Sequence, residues 1–559
     1  MNQPVPKRGA KENYYSLKVA FVVYFGRKYV FANGCWYHFQ GPHWVDLGKD
    51  AKPHILKLVR TTFFDKVIQP IVAYYRGKLR KRSRTYEKYM PENIEFHFNE
   101  FQFTRIDSAF TNLEADFFKP NSWTEELGAN QFLLGFKCGH KYDTRTAEYT
   151  VAEPEDMIIK VLPHIKAEVE HVEHSKEAYL RKFFREIQPY TDADDPRIHE
   201  GERFMIDLFS LIVSGIRTDQ IFLIFQGGGS NGKTMLEVLL ISMLKDYCVT
   251  PDIKLLTGKS GDAEGTDSKL MQCRGALVAV FQEPHGRDKL NSGKMKKYSG
   301  GDRVQARELY KQATQIKFTP LMIICCNMSL NFDDTSEGIL RRPRFVPFPT
   351  TFVESTDPRY DPLHPDPRYK LVNPAVETNF KCHTWGAQML RIALENLKGM
   401  RIRHEQRQAV EGTCKFLFIP KYVQEATIDF KEEKVPIKFF VADRLQFVGR
   451  KGRDGSPLKP QCSISKTDMW NEFKDWVKDE GAAYDDIQSW NPLMLHTALA
   501  TQNVMYSNDG PDTDKNNRKK AYWNWRVKCG ENAVERGSSP IDAGPSTRSP
   551  LASLINNAI

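Results

Sequence analysis

A parallel sheet between helices, the α/β class, is what the central part of this sequence predicts, and three apolar runs carry that prediction. The first, Ile221-Phe222-Leu223-Ile224-Phe225, has strand length and leads through Gln226 into a glycine-rich loop. A helical pattern, Met235-Leu236-Glu237-Val238-Leu239-Leu240, follows at once. The second, Ala276 to Phe281, ends in Gln282-Glu283-Pro284, and the third, Leu321 to Cys326, ends in Asn327. Unbroken apolar runs read as strands buried on both faces, which belong to sheets covered by helices on each side.

Taken in order, the chain opens with a stretch dense in aromatics from Tyr14 to Trp44. Within it, residues Tyr29 to Phe39 form two alternating runs joined by Asn33-Gly34, a β-hairpin signal. Its rings either pack as core, the usual fate of such side chains, or stack on bases. Arg76 to Arg84 places six basic residues in nine positions, a density that fits nucleic-acid contact, a nuclear-import signal or a solvated helix face. Residues Leu127 to Asp156 read as short strands and turns. His171 and His174 lie among Glu168, Glu170 and Glu173 and read as a charged helix face, because no third and fourth metal ligand is evident. From Gly201 to Gly215, Phe204, Met205, Leu208, Phe209, Leu211 and Ile212 recur at helical spacing, so a packed helix precedes the first strand of the sheet.

The loop after that strand, Gly227-Gly228-Gly229-Ser230-Asn231-Gly232-Lys233-Thr234, has the spacing G-x-x-x-x-G-K-[ST] in its required strand–loop–helix setting. Glycines let successive N–H groups turn to one anion, and the helix N-terminus adds partial positive charge. Lys233 reaches β- and γ-phosphates, and Thr234 holds Mg²⁺. The expected ligands are therefore ATP and Mg²⁺. Glu283, at a strand tip beside this loop, is the candidate to hold Mg²⁺ and activate water, and Asn327 the candidate to orient that water. Between these two strands, Lys296-Lys297-Tyr298-Ser299-Gly300-Gly301-Asp302-Arg303, with Arg307 and Lys311, gathers cations around a Gly-Gly turn. These are the candidate DNA contacts, with pairing to Asp302 and Glu308 as the alternative. Arg341-Arg342, after Gly338, suits an arginine finger.

As a set, these motifs resemble superfamily 3 helicases within the AAA+ ATPases, and specifically the poxvirus-type primase-helicases of large DNA viruses, phages and plasmids. The carriers are Gly229 to Thr234 with Asn before Gly-Lys, the K-x-x-[ST]-G-G-D run Lys296 to Asp302, Asn327 as sensor 1, and Arg341-Arg342 with Phe348 as the finger segment. Leu133 to Phe136 through Pro154-Glu155-Asp156 also resembles that family's helicase-associated N-terminal domain. The resemblance covers about Trp123 to Val353. It implies a ring, taken as hexameric, with ATP between subunits and basic hairpins facing a central channel. Gln282 departs from the two adjacent acids of many members. No paired carboxylates on a strand are found in residues 1–200, and His97-Phe98-Asn99 breaks the His-apolar-His pattern, so neither priming nor nicking is expected.

Beyond Phe352 the chain is proline-rich from Asp357 to Pro367, and a helix is expected around Trp385 to Leu397. A capped helix from Thr467 to Val477 shows Met469, Trp470, Phe473, Trp476 and Val477 on one face. A short helix from Pro492 to Ala500 follows, then a basic-aromatic segment with Lys515, Arg518, Lys519, Lys520, Tyr522, Trp523, Trp525 and Arg526. Helix, helix, hairpin is the order of a winged helix, which the resemblance also implies; a protein-contact module is the alternative. The expected domains are 1–195 (α+β, helicase-associated), 196–355 (ATPase core), 356–410 (helical connection), 411–529 (winged-helix-like) and 530–559 (a disordered tail).

Net charge is +10 over 559 residues, which favours a polyanionic partner, and 41% apolar content is ample for packed cores. The ten cysteines show no C-x-x-C pair, so neither a zinc site nor a disulfide framework is indicated. No apolar run has membrane-spanning length and the opening residues lack the apolar centre of a signal peptide, so an intracellular chain is expected, in host cytoplasm or nucleus. The expected activity is that of an ATP-dependent DNA helicase acting on single-stranded and forked DNA, with a separate primase or polymerase as a further partner. A DNA-remodelling ATPase switch and a replication-initiator scaffold are the competing readings.

Overall fold

The computed structural model describes residues 21–68, 70, 113–188, 198–257, 268–283, 289–307, 313–327, 330–334, 336–364, 366–412, 414–433, 436–447, 463–479, 491–501, 504, 506–507, 521–523 and 525–527. The basic run Arg76–Arg84, His97–Asn99, Glu308, Lys311, the cations from Lys515 to Lys520 and the tail 530–559 lie outside them. Two compact units emerge, Met1–Lys431 and Glu432–Ile559.

In the first unit, β1 (Tyr29–Ala32), β2 (Cys35–Phe39) and β3 (Trp44–Gly48) form an antiparallel meander. Its first turn is the expected Asn-Gly pair, with Asn33 at φ 50° and Gly34 at φ 74°, the conformation that matches strand twist. Tyr29, Trp36 and Tyr37 are buried, so these rings are core. Helix α1 (Asn121–Glu126) precedes a four-stranded sheet of order β6-β5-β4-β7, built from β4 (Leu133–Phe136), β5 (His140–Asp143), β6 (Glu148–Val151) and β7 (Val161–Leu162). Leu134, Phe136 and Leu162 of that sheet share one buried cluster with Leu223, Val278 and Ile323 of the central sheet.

Helices α2 (His174–Glu186) and α3 (Ile198–Ser214) lead into the central sheet. Helix α3 stops at Gly215, whose φ of 73° few other residues adopt and where an added Cβ would lie 2.5 Å from the Gln131 carbonyl oxygen. The sheet contains β8 (Phe222–Gln226), then, after α4 (Lys233–Leu244), β9 (Cys248–Val249), β10 (Val278–Phe281), β13 (Leu321–Cys326) and β14 (Pro343–Pro347). Its order is β14-β8-β13-β10-β9 and every pairing is parallel. The chain leaves β8 for the far edge, works back to β13 and finally crosses to the other side of β8. The crevice at the carboxyl ends of β8 and β13 is thus the point where ligands bind such sheets. At the opposite ends, half-buried Arg217 donates to the carbonyls of Leu211, Ile212, Ile216, Leu277 and Thr319, tying the end of α3 to the starts of β10 and β13. Burial pushes its pKa down to about 9.

Between β10 and β13 stand α5 (Ser292–Gly300) and the antiparallel hairpin β11 (Arg303–Ala306) and β12 (Thr314–Lys317). A short helix, α6 (Glu337–Leu340), leads into β14. After it come the parallel pair β15 (Thr351–Val353) and β16 (Tyr369–Leu371), then α7 (Ala375–Lys381), α8 (His383–Glu411) and α9 (Lys421–Glu433). Helix α8 runs 29 residues, well past the stretch expected from sequence.

The second unit contains α10 (Pro436–Arg444), β17 (Leu445–Phe447), β18 (Ser463–Ile464), α11 (Lys466–Asp479), α12 (Pro492–Thr501), β19 (Tyr506–Ser507), β20 (Ala521–Trp523) and β21 (Trp525–Val527). Ser465 caps α11 by accepting from the Asp468 N–H, and Met469, Phe473 and Trp476 pack on Phe440, Leu495 and Leu499. Two helices followed by the antiparallel pair β19–β20 is the order expected from sequence. Among the described residues, no helix is long and apolar enough to cross a membrane.

Candidate nucleotide site

Residues 227–234 occupy the crevice at the carboxyl end of β8. Gly227 is required there, because an added Cβ would lie 2.1 Å from Asn231 Nδ2 and 2.5 Å from the Phe348 carbonyl oxygen. Gly232 has φ 88° and abuts Ile187 of the segment after α2, so it too has no room for a side chain. The loop is anchored to the sheet, with the Gly227 N–H donating to the Cys326 carbonyl and the Phe352 N–H to the Ser230 carbonyl.

Three predicted site residues meet at adjoining strand ends. Lys233 Nζ donates to the Gly227 carbonyl at 2.7 Å and to Asn327 Oδ1 at 3.2 Å, and Asn327 Nδ2 donates to Glu283 Oε2 at 3.0 Å. Burial lowers the Lys233 pKa, and Glu283 among its neighbours pulls it back. Cys325 and Cys326 flank the lysine, and burial pushes both thiols up to about 12, which keeps them as neutral packing groups.

A cavity of about 470 Å³ opens over these residues. Gly229 to Thr234, Glu283 and Asn327 line one end, and Phe183, Phe352, Leu371, Val372 and Val376 line an apolar part suited to a flat ring. Asn231 is 3% exposed, and its Nδ2 has no hydrogen-bond partner among the described residues. An orphaned donor, a left-handed glycine turn, a buried lysine and a helix N-terminus together fit a phosphate chain. Among the described residues no three His, Cys, Asp or Glu side chains cluster as a metal cage.

Sequence reasoning missed several lining residues. Phe183 comes from α2, and the apolar wall from β15, β16 and α7, none of which carries a motif. Glu237 was read as helix interior, yet it lines the cavity and accepts from Gln282 Nε2 at 2.6 Å, while burial raises its pKa. Its signal was available, for it is the lone acid in α4.

The arginine doublet lies elsewhere. Pro343 pairs with Phe222, the first residue of β8, so Arg341 and Arg342 sit at the amino end of that strand, roughly 16 Å from the loop at the usual strand rise. The two differ in setting. Arg342 donates to the carbonyls of Gly338 and Lys296 and to Ser299 Oγ, whereas Arg341 is exposed and donates to Gln220 at 3.3 Å. Arg344, buried, donates to the Arg341 and Pro343 carbonyls and holds the segment's shape.

The candidate DNA cations also divide. Lys296 pairs with Asp334 at 3.0 Å and donates to Ser336 Oγ, and Arg303 pairs with Glu125 of α1 at 2.8 Å. Intrachain pairing therefore occurs, for Lys296 with Asp334 and for Arg303 with Glu125, while the expected partner Glu308 lies outside the described residues. Lys297 and Arg307 are exposed, and Lys311 lies outside the described residues. The hairpin alternates strictly: Val304, Ala306, Thr314 and Ile316 are buried, while Arg303, Gln305, Arg307, Gln315 and Lys317 are exposed. Its turn end is held by Asn33 Nδ2, which donates to Thr314 Oγ1 at 2.8 Å, Thr314 being paired with Ala306 beside the connecting loop.

No family model matches the chain. It is 23% identical over 462 residues to "Putative helicase L207/L206" of Acanthamoeba polyphaga mimivirus, covering 80% of this chain and 43% of that protein. It is 25% identical over 285 residues to "Putative helicase 022R" of Frog virus 3, covering 50% and 26%, and 26% identical over 388 residues to "Putative primase C962R" of African swine fever virus, covering 65% and 38%. The chain thus spans less than half the length of each of these relatives. Among solved structures, the NrS-1 C-terminal region covers 76% of this chain and 80% of its own at 10% identity, but its TM-score of 0.36 carries no argument. The chain is a relative of proteins named as helicases and primases in large DNA viruses.

Proposed function

We propose that this relative of viral helicases is the ATPase and helicase subunit of a superfamily 3, AAA+-type ring, taken as a hexamer, that unwinds DNA during replication of a virus or mobile element. One observation carries the reading: the hydrogen-bonded run Lys233–Asn327–Glu283 at adjoining ends of β8, β13 and β10, beside a loop built for phosphate. The amides of Gly227 to Gly232 and the Lys233 ammonium bind the β- and γ-phosphates of ATP. Thr234 and Glu283 hold Mg²⁺, which when bound neutralises charge on the phosphates. Glu283 accepts the proton of the attacking water, and Asn327 orients that water. Arg341 completes the site of a neighbouring subunit. The exposed face of the β11–β12 hairpin carries two arginines, a lysine and two glutamines. Such side chains contact the phosphate backbone of DNA without reading its bases.

Forked-duplex unwinding with and without ATP, run beside the mass of the assembly, tests this reading. ATP-dependent strand separation by a ring-sized particle is expected. DNA-stimulated ATP turnover without strand separation would favour a remodelling switch instead. DNA binding without turnover would favour an initiator scaffold.

A further inference from the structure

The cavity holds a second carboxylate that the motif set does not supply. After Thr234, helix α4 is uncharged except at Glu237, three residues on. That spacing places the two side chains on one face of the helix, and both line the cavity with Lys233, Glu283 and Asn327. On the strand side, Gln282 stands next to Glu283 where many superfamily 3 members carry another acid, and its amide reaches Glu237 Oε2. A neutral amide orients a carboxylate without cancelling its charge. No Lys or Arg among the described residues pairs with Glu237, and its Oε1 has no hydrogen-bond partner among them. A part-buried carboxylate without counter-charge is costly unless a cation arrives. In the loop that lines the same cavity, the buried Asn231 Nδ2 has no hydrogen-bond partner among the described residues.

We propose that Glu237 is the second carboxylate of the divalent-cation site, accepting from the water shell of Mg²⁺ bound with a nucleoside triphosphate. The pair of acids that elsewhere sits on one strand is here divided between strand, at Glu283, and helix, at Glu237, with Gln282 aiming the latter. The proposal rests on the nucleotide reading of the cavity given above.

The test is binding of a fluorescent ATP analogue to the full chain, titrated with Mg²⁺ and repeated in EDTA. Glu237→Gln should raise the Mg²⁺ concentration for half-maximal tight binding by about 10- to 100-fold, the usual cost of losing an outer-shell group, while binding in EDTA changes less than about twofold. Glu237→Gln combined with Gln282→Glu exchanges carboxylate and amide across the same hydrogen bond and should recover most of the Mg²⁺ response. An unchanged Mg²⁺ midpoint in Glu237→Gln overturns the proposal. Equal loss with and without metal, unrescued by the exchange, overturns it as well, because Glu237 then serves only the cavity's shape. Failure of the parent chain to bind the analogue at all is a separate result, and it removes the nucleotide reading itself.

Discussion

Asn327 is pinned from both sides: its oxygen accepts from Lys233 and its nitrogen donates to Glu283, which fixes the orientation of the amide. A glutamine at 283 can keep this arrangement, since its side-chain oxygen still accepts from Asn327, but it cannot take up a proton. Glu283→Gln is therefore expected to retain ATP binding and lose turnover by about 10²- to 10⁴-fold, the range for a general base. Single-turnover hydrolysis and nucleotide retention on gel filtration check this, and loss of binding would refute the role. A second residue sets a pH limit on the fold. His164 is fully buried, its Nε2 lies 3.0 Å from the Met243 carbonyl, and burial lowers its pKa from 6.5 to about 4. The unfolded chain then takes up the proton first, so His164's contribution is complete above pH 6.5 and is lost as pH falls towards 4. Between pH 7 and 5 that loss is about 2 kcal/mol. His38, lowered to about 4 by burial and then by His54 and Lys28, adds in the same direction. Urea midpoints at the two pH values should differ less in His164→Gln than in the parent, and equal slopes would show that His164 titrates normally.

At the scale of elements, α5 is the junction between the finger segment and the hairpin. Arg342 fastens α6 and β14 to the C-terminal turn of α5, and Lys296 fastens α5 to Asp334 and Ser336. The hairpin follows α5 directly, so hydrogen bonds through α5 join the Arg341-Arg342 segment to the element that leads into β11. This assignment separates cations that hold the fold from cations that can meet DNA. Lys317→Ala should make the salt dependence of single-strand binding shallower by about one unit in log–log slope, whereas Lys296→Ala should leave it unchanged. Equal effects in the two variants would place Lys296 on DNA after all. The elements also show what sequence could and could not reveal. Asn33-Gly34, the phosphate loop and the three strand tips were legible because each rests on local backbone geometry or on an apolar run. Helix α8 was underestimated because its second half, Lys398 to Glu411, is mostly polar and carries Gly399 near its start, which lowers helix propensity by only about 1 kcal/mol. Its continuation depends on distant partners: Arg403 pairs with Asp207, and Arg407 donates to the Phe416 carbonyl. The cavity wall of Phe183, Phe352 and Leu371 was invisible for the same reason, since only tertiary structure brings these residues together.

At the scale of the whole molecule, the distance between cradle and doublet decides how many chains one site needs. Arg341 lies at the amino end of the strand whose carboxyl end enters the phosphate loop, so a finger on this chain cannot serve its own cradle without unmaking β8 or β14. An exposed arginine held in place by Arg344 can serve a neighbour in a head-to-tail ring, where one face of each subunit meets the opposite face of the next. Arg341→Ala and Lys233→Ala chains should each lose turnover, the first by about 10³-fold or more if Arg341 acts as a finger. Mixed at equal amounts, they should regain activity, because roughly one quarter of interfaces then join an intact cradle to an intact finger in a randomly assembled ring. Steady-state ATPase across mixing ratios, with co-assembly verified by mass, measures this. A finger acting within one chain would give no recovery at any ratio, since every chain in the mixture lacks one half of its own site.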